Sequence, residues 1–170
     1  MPASQQKARP ILRVELIEDD GDWSDLADVE DVIERAASVT AQAMGRALKP
    51  GQVSVALSSD AHVAALNERY RGKAKPTNVL SFAAGAGAAE SHLGDIVIAR
   101  ETVDREAHEQ GVPFVHHMQH LVVHGILHLL GYDHTTAADA ERMEALEIEI
   151  LSELGVANPY TGALETGTSE

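Results

Sequence analysis

The chain has no cysteine among its 170 residues, which excludes disulfides, cysteine-based zinc ribbons, iron–sulfur clusters and thiol catalysis. It has no apolar run near the roughly 18 residues that a bilayer crossing requires. Its opening residues, Met1-Pro2-Ala3-Ser4-Gln5-Gln6-Lys7, lack the apolar core of a signal peptide. A cytosolic protein with no membrane partner is the expectation. Internal repeats and low-complexity blocks are absent too. Positive charge is scarce, with 13 Lys+Arg against 27 Asp+Glu and a net charge of −14, and a field of that sign repels polyanions at long range. What is present is globular in balance: 44% hydrophobic and 24% charged residues exclude wholesale disorder. The length suits one ordinary domain that buries a core unaided.

The acidic charge is unevenly spread. Ten of the 27 acids lie between Glu15 and Glu34 and seven more between Asp133 and Glu153, whereas Arg69, Arg71, Lys73 and Lys75 put four of the 13 basic groups into seven residues. A local basic patch therefore sits inside an acidic chain. By charge alone it reads equally well as a solvated loop or as a contact for phosphate.

Hydrophobic periodicity predicts an α+β domain: a small mixed four-stranded sheet packed with about five helices. Strands are expected at Ile11 to Ile17, Val53 to Leu57, Thr77 to Phe82 and Asp95 to Ala99, with a Gly/Ala-rich connection at 83–94. A helix is expected from Ser24 to Leu48, capped by Ser24 or Asp25 and ended by Pro50-Gly51. A second runs from a Ser59 or Asp60 cap to Tyr70, with Val63, Leu66 and Tyr70 on one face. Further helices are expected at Arg100 to Gln110, from Pro113 to Leu130, and from Ala137 to Leu154 with Met143, Leu146, Ile150 and Leu154 inward. Residues 1–10 read as a loose leader. One domain is expected over 1–155, with a flexible tail at 156–170.

Six of the nine histidines fall between His116 and His134. His124 and His128 are four apart, on one helix face and roughly 6 Å apart along the axis. His134 would lie about 15 Å from His124 if the helix continued. Gly131 removes that difficulty, because a glycine can take the left-handed conformation that ends a helix and returns the chain. Three imidazoles suit one Zn²⁺ per chain and leave its fourth position open, the pattern of a catalytic site. The spacing matches the zinc-peptidase pattern H-E-x-x-H-x-x-G-x-x-H, so a metzincin-like zinc site is expected. Gly125, however, stands where those peptidases carry their general-base glutamate. Peptide hydrolysis is the poorer reading for that reason, and the missing side chain is expected to leave space above the metal for a nucleotide.

The run His124-Gly125-Ile126-Leu127-His128-Leu129-Leu130-Gly131-Tyr132-Asp133-His134 resembles the signature of the bacterial YbeY family of metal-dependent endoribonucleases. A second block is similar to that family's other stretch: Leu66-Asn67, Tyr70-Arg71-Gly72-Lys73 and Pro76-Thr77-Asn78-Val79-Leu80-Ser81-Phe82, followed by Leu93-Gly94-Asp95-Ile96-Val97-Ile98. The resemblance implies zinc on His124, His128 and His134, with Arg71 facing the site. A guanidinium there can grip a phosphodiester in bidentate fashion. Arg69, Lys73 and Lys75 are candidate substrate contacts. His120 is either a contact to substrate or a partly buried structural histidine. Asp133 either orients a ligand imidazole or makes a turn hydrogen bond. Asn78 and Ser81 read as packing or turn residues, and His116 and His117 as exposed.

The resemblance further implies single-strand-specific cleavage in ribosomal RNA processing, at the 3′ end of small-subunit RNA, and in ribosome quality control. Ribosomal RNA, the small ribosomal subunit and a basic ribosomal protein are the partners it suggests, the last complementing the acidic surface. The alternatives are a zinc hydrolase of peptides or small molecules, and a ribosome-assembly binding factor with little nuclease activity.

Overall fold

The computed structural model describes residues 12–45, 50–85 and 91–160. The leader, the end of the first expected helix at Ala47 and Leu48, part of the Gly/Ala-rich connection and residues 161–170 lie outside them. The elements run β1 (Leu12–Glu18), α1 (Val29–Met44), β2 (Gly51–Ser58), α2 (Asp60–Arg71), β3 (Val79–Ala83), β4 (His92–Ala99), α3 (Arg100–Gln110), α4 (Phe114–Leu129) and α5 (Ala137–Glu153). The sheet has the order β1-β2-β4-β3. β1, β2 and β4 are parallel, and β3 pairs antiparallel with β4 at the edge. This is the mixed four-stranded α+β architecture that the periodicity predicts.

Strand alternation divides the core in two. Val53, Val55 and Leu57 of β2 and Ile96 and Ile98 of β4 face a layer built from α1, α4 and α5, with Ile33, Val122, Ile126, Met143 and Ile150 among its buried residues. The opposite face offers Leu80, Val97 and Ala99 to Val63 of α2. The registration of β3 on β4 pairs Ser81 with Ile96 and Phe82 with Asp95, so Ser81 looks toward α4 and Phe82 toward α2. At Gly94 a Cβ would lie 2.3 Å from the Phe82 carbonyl oxygen. Only glycine lets the strands approach that closely.

Three expectations are corrected. Neither Ser24 nor Asp25 caps α1, which starts at Val29. Ser24 instead hydrogen-bonds Asp22, Asp25 is clamped by Arg100 at 2.7 and 2.9 Å, and Trp23 is buried, so these residues form a turn anchored to the core. Tyr70 does not join the buried face of α2; it is 59% exposed. His117, expected on the surface, is buried and lies 2.8 Å from Glu106. Burial opposes ionisation of Glu106, but its hydrogen bonds from His117 and Asn78 hold its carboxyl below the usual carboxylate range.

Past α5 the chain stays packed further than the sequence suggests. Gly155 has a positive φ of 78°, after which Val156 is buried and the Tyr160 hydroxyl donates to Glu147. An anchoring aromatic and a buried valine hold residues 156–160 against the helices.

Candidate active site

The site is built on α4 and the turn that ends it. His124 and His128 lie one helical turn apart, and the helix stops where the sequence places its glycine. Gly131 has a φ of 105°; its N–H donates to the His128 carbonyl and the Tyr132 N–H to the Leu127 carbonyl, each at 3.0 Å. This paired closure is the Schellman arrangement of helix C-termini. It reverses the chain and brings His134 back. The ring centroids are then 4.6 Å (His124–His128), 4.9 Å (His128–His134) and 5.0 Å (His124–His134) apart. One ring nitrogen from each of the three lies within 4.8 Å of the others, a donor set able to hold a metal ion.

Behind His124 stands a residue that sequence reasoning missed. Glu147 of α5 is fully buried and lies 2.6 Å from His124 Nδ1 and 3.1 Å from His120 Nε2. Tyr160 donates a third hydrogen bond to it. Burial opposes ionisation of Glu147, yet these hydrogen bonds win and pull its pKa down to about 2. Tyr160 moves the other way: burial, then the carboxylate beside it, push its phenol upward.

An ionised carboxylate only accepts hydrogen bonds, so His124 must carry its proton on Nδ1, leaving the Nε2 lone pair for a metal. Carboxylate-oriented imidazole is the usual support of a metal-ligating histidine. His128 is disfavoured from protonation by burial first and by its two histidine neighbours next, which suits a ligand that must be neutral. The chemistry of the residues present therefore fits a metal ion. A signal for Glu147 existed in the sequence: it falls four after Met143 and three before Ile150, on the face of α5 otherwise apolar.

The front of the cluster opens into a cleft of about 420 Å³ lined by Arg71, Thr77, Asn78, Val79, Ser81 and His124, together with His128. Arg71 ends α2, where Gly72 takes a left-handed φ of 73°, and its Nη2 donates to the Ser81 carbonyl at 3.3 Å. Arg71 thus shares one cavity with His124 and His128. Lys73 and Lys75 line an adjoining hollow of about 430 Å³, joined by Arg105 of α3 and sharing Arg71, Thr77 and Asn78 with the cleft. Arg69 lines neither and sits over the Tyr70 ring.

His120 faces Glu147 rather than the cleft. It borders a separate cavity of about 610 Å³ with His116, His117 and Val156. Its Nε2–H serves Glu147, and its buried Nδ1 has no hydrogen-bond partner among the described residues. Asp133 makes the turn: its Oδ1 accepts from the Thr135 N–H at 3.1 Å. Asn78 and Ser81 line the cleft, and Asn78 also donates to Glu106. Gly125 does not look over the histidines. A Cβ there would meet Ile96 at 2.9 Å and the Ser81 hydroxyl at 3.1 Å, so the glycine serves close packing of α4 on the sheet. The expected space for a nucleotide above the metal is not what it provides.

Fold and site together define an α+β protein with a three-imidazole cluster at the mouth of a cationic cleft. Residues 17–155 match the family model described as Endoribonuclease YbeY. The chain belongs to that family. It is 49% identical over 158 residues to the Endoribonuclease YbeY of Bradyrhizobium sp. strain BTAi1, covering 89% of this chain and 94% of the relative. It is 47% identical over 160 residues to that of Parvibaculum lavamentivorans, with 88% and 85% covered. The solution structure of TM1509 from Thermotoga maritima is similar at a TM-score of 0.53 and 28% identity, over 85% of this chain and 91% of that one.

Proposed function

We propose that this chain is a zinc-dependent endoribonuclease specific for single-stranded regions, acting in the cytoplasm in ribosomal RNA processing, at the 3′ end of small-subunit RNA, and in ribosome quality control. One observation carries the reading: two histidines of a three-imidazole cluster and a guanidinium share a single open cleft, joined to further cations. Family membership, and relatives named as endoribonucleases, support the RNA substrate. His124, His128 and His134 would hold the metal. A zinc ion there supplies Lewis-acid stabilisation of phosphate charge and lowers the pKa of water.

The chain's own residues supply the rest. Glu147 fixes the His124 tautomer from behind. Arg71 binds the scissile phosphate and stabilises charge that develops on it, since its planar fork matches two phosphate oxygens. Lys73, Lys75 and Arg105 hold neighbouring phosphates and overcome locally the repulsion of the acidic chain. That acidic surface, dense between Glu15 and Glu34, fits a basic ribosomal protein of the small subunit as a second contact.

Hydrolysis of peptides is the weaker reading, because an amine leaving group needs a proton donor and no carboxylate lines the cleft among the described residues. A panel of unstructured peptides and RNAs, run with and without chelator on protein of verified zinc content, tests the choice. Chelator-sensitive RNA cleavage at unpaired positions, with no peptide cleavage, is expected. Robust peptide hydrolysis without RNA cleavage overturns the proposal, and neither activity favours a binding factor of ribosome assembly.

A further inference from the structure

We infer that Tyr70 and Phe82 form a stacking site for one unpaired nucleobase of the RNA strand whose phosphate occupies the cleft; the inference rests on the ribonuclease reading. Tyr70 is the most exposed large hydrophobic side chain among the described residues, at 59%, with only Ile17 comparable at 40%. A tyrosine ring gains stability from burial, yet this one stays largely in solvent beside the α2–β3 cluster. Its centroid lies 5.3 Å from that of Phe82, tilted by 59°. The guanidinium of Arg69 lies 5.5 Å from the Tyr70 centroid, and that of Arg71 lies 5.8 Å from the Phe82 centroid. The result is a ladder of cation, ring, ring and cation.

The ladder is continuous with the cleft through one side chain. Arg71 lines the cleft with His124 and His128, hydrogen-bonds the Ser81 carbonyl, and packs over Phe82. Ser81 and Phe82 are consecutive on β3 and face opposite sides of the sheet. The platform therefore lies just around the β3 edge from the histidines. A phosphate gripped by Arg71 would carry its neighbouring nucleotide to this edge.

Charge selects the occupant. Arg69 and Arg71 flank the aromatic pair, and Arg71 also lines the hollow of Lys73 and Lys75, so the partner that fits is a flat ring on an anionic backbone. Aromatic faces beside cations are the recurring device for single-stranded nucleic acid, and they accept any base. In a duplex each base face is covered by its neighbours. The platform thus supplies a physical reason for cleavage at unpaired positions.

The test compares a short single-stranded oligodeoxyuridylate with an abasic oligomer of equal length. Neither carries the 2′-hydroxyl of a ribonuclease substrate, and phosphate contacts cancel between them. Fluorescence anisotropy of the labelled oligomers on zinc-loaded protein gives a base-to-abasic affinity ratio. Wild type should favour the base-bearing oligomer by about fivefold or more, the lower end for one base–aromatic stack. Tyr70→Ala should bring the ratio to within about twofold, whereas Tyr70→Trp should keep or raise it. Tyr70 is exposed, so circular dichroism should show both variants folded. A Tyr70→Ala protein with the wild-type ratio, or a wild type indifferent to bases, overturns the inference. RNA cleavage by the same wild-type preparation separates the two readings. Base preference without cleavage refutes the ribonuclease and leaves the stacking site; cleavage with an unchanged ratio in Tyr70→Ala refutes the stacking site alone.

Discussion

His124 has two sides, and they are chemically opposite. Behind it a fully buried carboxylate, Glu147, is saturated by His124, His120 and Tyr160. In front of it the cleft is open and carries Arg71, with Lys73, Lys75 and Arg105 in the adjoining hollow. The rear is buried and anionic, with both oxygens of Glu147 hydrogen-bonded, as a support that must fix one tautomer should be. The front is open and cationic, as a surface that must exchange a polyanion should be. On the proposed function, the contrast assigns two separable jobs: the rear would govern how tightly metal is held, and the front what is cleaved.

The largest expected effect breaks both jobs at once. His124→Ala, His128→Ala and His134→Ala should each lose most bound zinc, because three convergent imidazoles are needed to hold it tightly. Metal analysis checks this; near-stoichiometric zinc in all three variants would eliminate the cage. Acidification should release zinc from wild type as well, since a protonated imidazole cannot ligate.

Next in size is the front. Arg71→Ala should retain zinc and fold but lose about 10²- to 10³-fold in RNA cleavage rate, the scale for removing one charge-stabilising donor. Arg71→Lys should recover only part of the loss, because an ammonium lacks the planar fork.

The rear should respond differently. Glu147→Gln should weaken zinc binding by about 10- to 100-fold, the usual cost of losing a carboxylate behind a ligand histidine. Its stability signature has a definite sign. The folded pKa of about 2 lies below the usual value of 4.5, so ionised Glu147 stabilises the metal-free fold above that usual value. The contribution is lost as pH falls toward about 2. Thermal melts of chelator-treated wild type should therefore fall through this window more steeply than those of Glu147→Gln.

Gly125→Ala is the smallest perturbation. The added methyl presses on Ile96 and the Ser81 hydroxyl, and should destabilise by about 1–3 kcal/mol as overpacking does. Zinc affinity should be retained. A melt unchanged from wild type would show that α4 has slack against the sheet.

The legible parts of this molecule were those set by local chemistry. Gly131 advertises its turn because glycine tolerates positive φ, and the four-residue spacing of His124 and His128 fixes their shared face. The place of Arg71 in the cleft was legible through the resemblance of its motif. The illegible parts depend on pairings distant in sequence. The start of α1 is displaced because Arg100 holds Asp25 and Trp23 is drawn into the core. Glu147 was passed over because helical periodicity registers apolar residues, and only the fold shows that α5 delivers a carboxylate to His124. Gly125 invited a reading as cleared space over the metal. Helix rotation turns it to the sheet instead, which no spacing rule reveals without knowing where β3 and β4 lie.

The division between rear and front is tested most directly by measuring zinc affinity and RNA cleavage rate on the same preparations of wild type, Glu147→Gln and Arg71→Ala, across a titration of added zinc. Glu147→Gln should bind zinc more weakly and recover its cleavage rate as zinc rises. Arg71→Ala should bind zinc as wild type does and stay slow at every zinc concentration. An Arg71→Ala protein that cleaves at the wild-type rate, or a Glu147→Gln protein with undiminished zinc affinity, would contradict the account.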